Sequence, residues 1–433
     1  MIETIRQLAR YNPWNGNNIA EGFRRSEYLD KMSDYSGNNL IKVLTGQRRA
    51  GKSYILRQAV MDLIEKGVNP ENILYISKEF STFASIVTSE DLDRLIEEYH
   101  KTFQPTGKTY VFVDEIQNID GWEKTVNSLS QDFSRPCEVF ISGSNSKMLS
   151  GELASLLSGR YLEFEVFPLS YLEWSDVHSK EHNRDSFTEY LQDSGLPEIL
   201  HLKTNEVRRN YVSGLKDTVL LRDVINRHNI RDSRLLEELF TYAVNNATKL
   251  FTPNTIVKFY KSRGRTVNYE TVTAYLSYIE ETYIIHKVER FNIQGRETIA
   301  GNCKYYINDL AFYNYLYKGF AYGYGYELEN LVYLDLRRHG YDVYVGNIPD
   351  TRADIIQKEV DFVAIKGNDR IYVQVAYEIN DEETLAREYG SLELIDDNYP
   401  KLVVTMGPDA LPQNNGIRNV LAWNLDKELS RLE

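Results

Sequence analysis

The chain has 433 residues, of which 42% are hydrophobic and 26% are charged, and its formal net charge is −13 at pH 7. These values are typical of a globular protein of roughly two to four domains; they predict no membrane span, since no apolar run reaches about 18 residues, and they disfavour indiscriminate nucleic-acid binding. Its two cysteines, Cys137 and Cys303, form neither a disulfide nor a zinc pattern, so a reducing, cytoplasmic compartment is expected.

The first apolar strand, expected at 41–45, runs directly into the pattern G-x-x-x-x-G-K-S. Glycines let such a loop curl so that successive backbone N–H groups point at phosphate oxygens, and the following helix directs its N-terminus at the same anion. Lys52 is placed to reach the β- and γ-phosphates of ATP, and Ser53 to bind Mg²⁺. The residues expected to bind the nucleotide are Gly46, Gln47, Arg48, Arg49, Ala50, Gly51, Lys52, Ser53 and Tyr54.

A second motif ends the strand expected at 109–114, where Asp114 and Glu115 follow an apolar run. Asp114 suits the magnesium-side acid, acting through coordinated water, and Glu115 is placed to polarise a water for attack on the γ-phosphate. An additional strand, expected at 72–77, lies between the loop and this acid. That order is typical of ATPases with a catalytic glutamate rather than of GTPases.

Strands and helices alternate between residues 41 and 166, as in a parallel sheet with helices on both faces. The expected strands are 41–45, 72–77, 109–114, 138–142 and 161–166, and the expected helices are 53–66, 90–101, 122–131 and 146–157. Ligands of such sheets bind at the carboxyl ends of the strands, where both motifs fall. The fold class predicted here is therefore an α/β P-loop ATPase.

The strand at 138–142 is followed by three polar residues, Ser144, Asn145 and Ser146. A polar side chain at this place lies beside the γ-phosphate and can sense it, and Asn145 or Ser144 is the candidate. The alternative is that Ser146 simply caps the following helix. The sequence does not decide between the two.

Arg160 also carries two interpretations. Gly159 fits the end of the preceding helix, and Arg160 then begins the strand at 161–166. An arginine there can reach the nucleotide of a neighbouring subunit as an arginine finger. It can equally pair with Glu163 or Glu165 on the surface of its own chain.

After residue 166, the pattern of predicted helices and strands changes twice. Residues 167–231 are mostly helical, and residues 232–307 show three helices followed by a β-hairpin, which is the winged-helix order. Helix 327–338, strands 341–345, 359–365 and 370–377, and an α/β unit at 382–405 follow. A basic cluster lies between the second and third helices of the winged-helix segment; on DNA it would contact phosphates, although four charges more often form a solvated surface. The cluster consists of Lys258, Lys261, Arg263 and Arg265.

With these motifs the chain resembles the bacterial and archaeal AAA-like ATPases that carry a C-terminal domain of uncharacterised function. The resemblance spans nearly the whole chain and rests on the two motifs and on the runs 142–146, 157–160, 168–170, 329–333 and 359–362. It implies a P-loop ATPase core at 1–166, a helical connector at 167–231, a winged-helix-like domain at 232–307 and a restriction-endonuclease-like domain at 308–433. It also favours Arg160 as an arginine finger, and hence a homo-oligomer.

The nuclease likeness is incomplete at the residues that do the chemistry. Such enzymes hold Mg²⁺ with an Asp on one strand and an acid on the next, and a Lys two residues after that acid positions the water. Asp361 fits the first Asp and Glu329 supplies a helix-borne acid, but Gln374 and Ala376 stand where the second acid and the lysine are required. The domain is therefore expected to be inactive as a nuclease.

Three functions follow from these observations. The first is a Mg²⁺-dependent, ATP-hydrolysing switch or motor, oligomeric and with a weak DNA contact through the winged-helix segment. The second is a DNA-binding or signalling adaptor in which the nucleotide is only a structural ligand, and the third is an ATP-controlled nuclease. Glu115 favours the first over the second, and the pair Gln374 and Ala376 weighs against the third.

Overall fold

The computed structural model describes residues 5, 7–19, 22–149, 157, 159–317, 324–348 and 358–432. The chain divides into two compact units: the first comprises Met1–Phe167 together with Glu281–Tyr283, and the second comprises Pro168–Glu280 and Ile284–Glu433. Within the described ranges, no helix has both the length and the apolar character needed to cross a membrane.

The first unit is built on a five-stranded sheet whose hydrogen-bonded pairs are all parallel. The spatial order of the strands is β2-β3-β4-β1-β5. Each strand lies within one residue of its predicted bounds, and the parallel P-loop α/β fold is confirmed. The strands are β1 (Ile41–Thr45), β2 (Ile73–Ser77), β3 (Thr109–Asp114), β4 (Cys137–Ser142) and β5 (Tyr161–Glu165).

Both faces of this sheet are buried, because its strands are apolar at nearly every position. Val43, Val111 and Ile141 belong to one core cluster, whereas their neighbours Leu44 and Phe112 belong to another. This is the burial that a parallel sheet requires when helices cover both faces. The helices of the unit are α1 (Ser26–Asp34), α2 (Lys52–Glu65), α3 (Ser89–Phe103) and α4 (Trp122–Gln131). Of the helix predicted at 146–157, a 3₁₀ turn at Ser146–Leu149 is present, and 150–156 lie outside the described residues.

The segment before β1 closes the edge of the sheet at β2. The Asn12 side chain donates to the carbonyl of Tyr75 at 3.0 Å and accepts from the N–H of the same residue at 2.6 Å. Trp14 Nε1 donates to the carbonyl of Ile73 at 2.8 Å. These bonds satisfy backbone groups that an edge strand would otherwise expose.

The second unit begins with helices, and two of them carry side-chain caps at their starts. The Asp232 side chain accepts from the N–H of Leu235 at 2.9 Å, and the Thr252 hydroxyl accepts from the N–H of Thr255 at 3.1 Å. A π-helical stretch, Val219–Ile225, continues the third helix into the turn Asn226–His228. The helices are α5 (Tyr171–His178), α6 (Arg184–Gln192), α7 (Asn205–Thr218), α8 (Ser233–Asn245), α9 (Pro253–Ser262) and α10 (Tyr269–Glu280).

A seven-stranded mixed sheet follows, in the order β12-β11-β10-β9-β8-β6-β7. The two strands that come first along the chain, β6 and β7, form the predicted antiparallel hairpin. Strand β6 also pairs in parallel with β8. The predicted domain boundary at 307/308 therefore falls inside one continuous sheet. The strands are β6 (Ile285–Asn292), β7 (Glu297–Ile307), β8 (Asp342–Ile348), β9 (Lys358–Lys366), β10 (Asp369–Ala376), β11 (Lys401–Thr405) and β12 (Ile417–Leu421).

Four helices accompany these strands. Two of them were expected in whole or in part, whereas the first helix, the last helix and β12 were not predicted. The helices are α11 (Ala311–Leu316), α12 (Tyr324–Arg338), α13 (Glu382–Glu393) and α14 (Leu425–Leu432).

Candidate active site

The loop between β1 and α2 has the backbone that phosphate binding requires. Gly46, Arg49 and Gly51 adopt positive φ values of 129°, 67° and 105°. A Cβ at Gly46 would lie 2.3 Å from the carbonyl oxygen of Val166, so only glycine fits at that position. Arg49 is a non-glycine residue in the left-handed region, where such backbone strain is typical of ligand sites.

Lys52 is buried on the loop itself. Its ammonium donates to the carbonyl oxygens of Gly46 at 2.8 Å and Gln47 at 2.9 Å. Burial lowers the pKa of Lys52, and the nearby charges of Glu115 and Asp114 only partly offset this effect. The lysine thus rests on neutral carbonyls, an arrangement that an anion of the ligand can replace with a stronger partner.

Asp114 ends β3 within a ring of hydroxyl groups from the two neighbouring strands. Its Oδ1 accepts from Ser142 Oγ at 2.5 Å, and its Oδ2 accepts from Ser77 Oγ at 3.1 Å and Tyr75 OH at 3.4 Å. These three donors were missed by the sequence reasoning. The signal that could have found Ser77 and Ser142 is their position at the carboxyl ends of the strands predicted at 72–77 and 138–142.

Glu115 turns sharply out of β3, with φ at 56°, and its side chain is held in place. Its Oε2 accepts from Gln117 Nε2 at 2.5 Å and from Ser144 Oγ at 3.4 Å. Its N–H donates to Ser142 Oγ at 3.2 Å. Gln117 belongs to the motif that carries the resemblance, but the sequence assigned no role to it. Of the two side chains that donate to this carboxylate, Gln117 is the nearer.

The loop after β4 brings its polar residues against these carboxylates. Ser144 touches Glu115 directly, and Asn145 is buried beside it with 6% of its surface exposed. A Cβ at Gly143 would lie 2.6 Å from Gln117 Oε1 and closer still to Met148, so a glycine lets the loop approach Gln117. Both predicted sensor candidates, Ser144 and Asn145, therefore lie in the loop that packs against Glu115.

The segment 281–283, which belongs to the first unit, contacts both ends of this site. The N–H of Ser146 donates to the carbonyl of Glu281 at 3.0 Å. Tyr283 OH donates to Glu163 Oε1 at 3.4 Å, and that same oxygen accepts from Thr45 Oγ1 at 2.8 Å. Thr45 immediately precedes Gly46 of the phosphate loop. The segment is thus tied to the loop after β4 and to the end of β1, a contact that no sequence pattern indicated.

Arg160 lies at the opposite end of the sheet from the phosphate loop of its own chain. Its carbonyl accepts from the N–H of Ile41 at 2.9 Å, at the start of β1, whereas the loop follows the last residue of that strand. Five residues at about 3.3 Å each separate the two ends by ~16 Å. The side chain is exposed. Both interpretations of Arg160, the arginine finger and the surface pair with Glu163 or Glu165, stay predictions.

The residues present fit a nucleoside triphosphate with Mg²⁺. The Gln47 side chain in the loop is 1% exposed, and neither of its amide atoms has a hydrogen-bond partner among the described residues; the same holds for Gln117 Oε1. Buried polar atoms without partners are costly unless a ligand or water satisfies them. Ser53 at the start of α2 and Asp114 supply the hard oxygen ligands that Mg²⁺ prefers.

Comparison with known proteins agrees with this geometry. The AAA domain family matches residues 38–175, and a domain of unknown function, DUF8612, matches residues 184–322. An uncharacterised protein of Haemophilus influenzae is 33% identical over 387 residues, covering 88% of this chain and 92% of the relative. The uncharacterised protein MJ1544 of Methanocaldococcus jannaschii is 30% identical over 383 residues, covering 85% of this chain and 82% of the relative.

Solved structures share only a distant likeness. The RuvB Holliday junction branch migration motor of Thermotoga maritima is 14% identical, with a TM-score of 0.32 over 61% of this chain and 90% of that chain. The Aeropyrum pernix ORC1 protein in complex with DNA is 12% identical, with a TM-score of 0.31 over 72% and 96%. Similarity of this size does not extend to activity or partners. The two longer matches do decide the family: this chain belongs to the same family as the Haemophilus and Methanocaldococcus proteins, and it carries an AAA-like P-loop domain.

Proposed function

We propose that the protein binds ATP with Mg²⁺, hydrolyses it, and uses the change of nucleotide as a switch or motor. The observation that carries this proposal is the placement of Glu115, a buried carboxylate one residue beyond Asp114 whose charge acts on Lys52 of the phosphate loop. A site that only bound nucleotide would have no need of this second carboxylate, because burying it is costly.

Each residue has a defined task in hydrolysis. Lys52 exchanges its loop carbonyls for the β- and γ-phosphates, while Ser53 and Asp114 would hold Mg²⁺, which neutralises charge on the phosphate oxygens. Glu115 orients the attacking water and accepts its proton. The Gln117 amide must first turn away from the Glu115 oxygen it now occupies, or share it with that water. Asn145 or Ser144 then registers whether the γ-phosphate is present.

Arg160 acts in trans, and the protein is therefore a homo-oligomer. Its exposed side chain starts at the far end of β5 and cannot reach the phosphate loop of its own chain. In a ring or filament, the same exposed position can face the nucleotide of the next subunit, where an arginine stabilises the charge of the transition state.

The segment 281–283 is the proposed output of the switch. It bonds to Ser146 in the loop after β4, and through Glu163 to Thr45 beside the phosphate loop. The chain continues from it into α10 on one side and β6 on the other. Movement of either loop with the γ-phosphate therefore pulls on the connections to the second unit.

The C-terminal region is proposed to be restriction-endonuclease-like without nuclease activity. Glu329 lies on α12 and Asp361 on β9, whereas position 374 on β10 carries glutamine instead of an acid and position 376 carries alanine instead of lysine. Any DNA contact of the winged-helix segment is expected to be weak. Arg265 is already paired with Asp232 at 3.2 Å and Glu238 at 2.5 Å, which leaves a smaller basic surface.

The test is ATP turnover by purified protein with and without Mg²⁺. Glu115→Gln should keep ATP binding and lower turnover by about 100-fold or more, since only the water-orienting carboxylate is lost. Glu65→Gln at the exposed end of α2 is the matched control and should leave turnover unchanged. Undiminished turnover in Glu115→Gln would reject the role of this residue. Absence of turnover in the unaltered protein, with binding intact, would favour the nucleotide-dependent adaptor.

A further inference from the structure

The second unit contains a pocket of its own, lined by residues from the end of α8, strand β7 and helices α12 and α11. Its volume is about 360 Å³, including the space at its open mouth, which is the size of a site for a small organic molecule. Much of its wall is apolar or aromatic, and this part is formed by Val244, Ala247, Ile307, Leu310, Tyr313 and Tyr326. We call it the α8–β7 pocket.

Thr248 brings an unsatisfied hydroxyl group to this pocket. The residue is 3% exposed, and its Oγ1 has no hydrogen-bond partner among the described residues. Its N–H donates to the carbonyl of Tyr305 at 2.8 Å, which fixes it to β7. Its φ is 67°, in the left-handed region that a β-branched residue rarely adopts. A buried hydroxyl without a partner costs stability, and backbone strain is common at ligand sites, so both features favour binding here.

The other polar groups of the α8–β7 pocket add further hydrogen-bond acceptors. Asn245 ends α8, and its Oδ1 also has no partner within the described ranges. Glu327 on α12 is a carboxylate of which 6% is exposed. Asn330 lines the pocket as well, but its amide is occupied by the backbone of Ile307, with bonds of 2.7 and 2.8 Å. Amide and carboxylate oxygens only accept hydrogen bonds, so a ligand of this pocket has to donate them.

We propose that the α8–β7 pocket binds a small organic ammonium ion, a primary amine that carries an apolar group. The ammonium donates to Thr248 Oγ1 and Asn245 Oδ1, and the negative charge of Glu327 compensates its positive charge. The apolar group packs against the aliphatic part of the wall. The inference concerns a second ligand of the protein and does not rest on ATP hydrolysis.

Lys249 supplies a test of the sign of the ligand charge. It also lines the pocket, and its ammonium lies 5.2 Å from the centre of the Tyr326 ring, in a cation–π contact. Tyr326 itself is 41% exposed. A cationic ligand is repelled by the Lys249 charge and competes with it for the aromatic face. Removing this charge should therefore strengthen the binding of an ammonium ion, whereas it would weaken the binding of an anion.

The experiment titrates the full-length protein, without nucleotide and at neutral pH, with phenethylamine and with 2-phenylethanol in a calorimeter. Both probes have the same apolar group, but only phenethylamine is charged. Phenethylamine should bind at one site per chain and about tenfold or more tightly than the alcohol, because its hydrogen bonds are charge-assisted.

Three variants locate the site. Thr248→Val should weaken phenethylamine binding by about fivefold and leave the Tm unchanged or higher, because a methyl group replaces a buried hydroxyl that has no partner. Lys249→Met should strengthen binding by about twofold or more, since a like charge is removed. Glu270→Gln, at an exposed position on α10, is the control and should leave the affinity unchanged.

Three results would overturn the proposal. If neither probe binds, the pocket is not a site for this class of ligand. If the alcohol binds as tightly as the amine, the ligand is not a cation. If phenethylamine binds with the same affinity to the unaltered protein, Thr248→Val and Lys249→Met, it occupies another part of the molecule. Circular dichroism of each variant shows that it is folded, and if Thr248→Val is not, Thr248→Ser, which keeps the hydroxyl, and Lys249→Met decide: Thr248→Ser should bind like the unaltered protein.

Discussion

Lys52 and Lys304 are both buried lysines, yet their surroundings have set them in opposite electrostatic states. Lys52 donates only to the neutral carbonyls of Gly46 and Gln47, and its pKa is lowered by burial. Lys304 faces three carboxylates supplied by its own chain, which overcome burial and raise its pKa. One lysine has anionic partners within the fold, whereas the other rests on neutral groups at a site suited to a phosphate.

The difference separates a structural charge from a functional one. A buried cation that is fully paired contributes to the fold, and its loss leaves uncompensated charges behind. A buried cation whose only partners are neutral acceptors lowers the stability of the protein. Its charge is compensated only when an anionic ligand binds beside it. Substituting each lysine should therefore affect a different property of the protein.

The largest expected effect is the loss of stability when Lys304 is replaced. Lys304→Met should lower the free energy of unfolding by about 3–5 kcal/mol, because Glu329, Glu359 and Asp361 lose their only close cation in the described structure. Denaturant unfolding followed by circular dichroism measures it. Lys287→Met, a partly exposed lysine on β6 that pairs with Glu289, is the control and should cost less than about 1 kcal/mol. An equal loss of unfolding free energy in Lys304→Met and Lys287→Met would show that the carboxylates around Lys304 do not depend on its charge.

The next effect is on binding at the phosphate loop. Lys52→Ala should weaken ATP binding by about 100-fold or more, or about 2.7 kcal/mol, because the phosphates lose a fixed cation. Its free energy of unfolding should stay the same or rise, since a poorly compensated buried charge is removed. Calorimetric titration with ATP and Mg²⁺ tests this, with Lys66→Ala at the exposed end of α2 as the control. A stability loss as large as that of Lys304→Met would contradict the comparison.

Subunit mixing tests whether the phosphate loop is completed by a neighbour. Arg160→Ala and Lys52→Ala proteins should each be inactive alone, and an equimolar mixture that exchanges subunits should recover roughly a quarter of the active interfaces. Each such interface combines an intact Lys52 with an intact Arg160 from the other variant. Steady-state ATP turnover measures the recovery. No gain, in an assembly shown to exchange subunits by fluorescence transfer, would count against a shared site.

The smallest effect is a dependence on pH. Because burial lowers the pKa of Lys52, this lysine loses its proton at a lower pH than free lysine, whereas bound phosphates would retain that proton. ATP affinity should therefore be full near neutral pH and fall as pH rises toward 10, by at most about tenfold per pH unit. Lys52→Arg should flatten this profile, since arginine stays charged. An identical slope in both proteins would assign the dependence to another group.

Local patterns predicted the first unit well. The five strands and the loop at 46–53 follow from apolar runs and glycine spacing, which depend on near neighbours in sequence. What the sequence did not reveal depends on distant pairing. The hydroxyls of Ser77 and Ser142 meet Asp114 because β2 and β4 flank β3, and β6 joins the C-terminal sheet because it pairs with β8. No sequence pattern distinguishes Lys304 from other lysines in strands. Its carboxylate partners come from residues 329, 359 and 361, which only the fold brings close to it.

The composition of the first unit has a consequence for how the protein is made. Segment 281–283 completes that unit, yet the ribosome must synthesise residues 168–280 before it appears. At about 5–20 residues per second, the nascent sheet waits on the order of ten seconds for its last piece. During that interval the Ser146 N–H lacks its Glu281 acceptor, and Thr45 and Glu163 lack their tyrosine. The nucleotide site of this chain is therefore finished late in translation, after most of the helices of the second unit have left the ribosome.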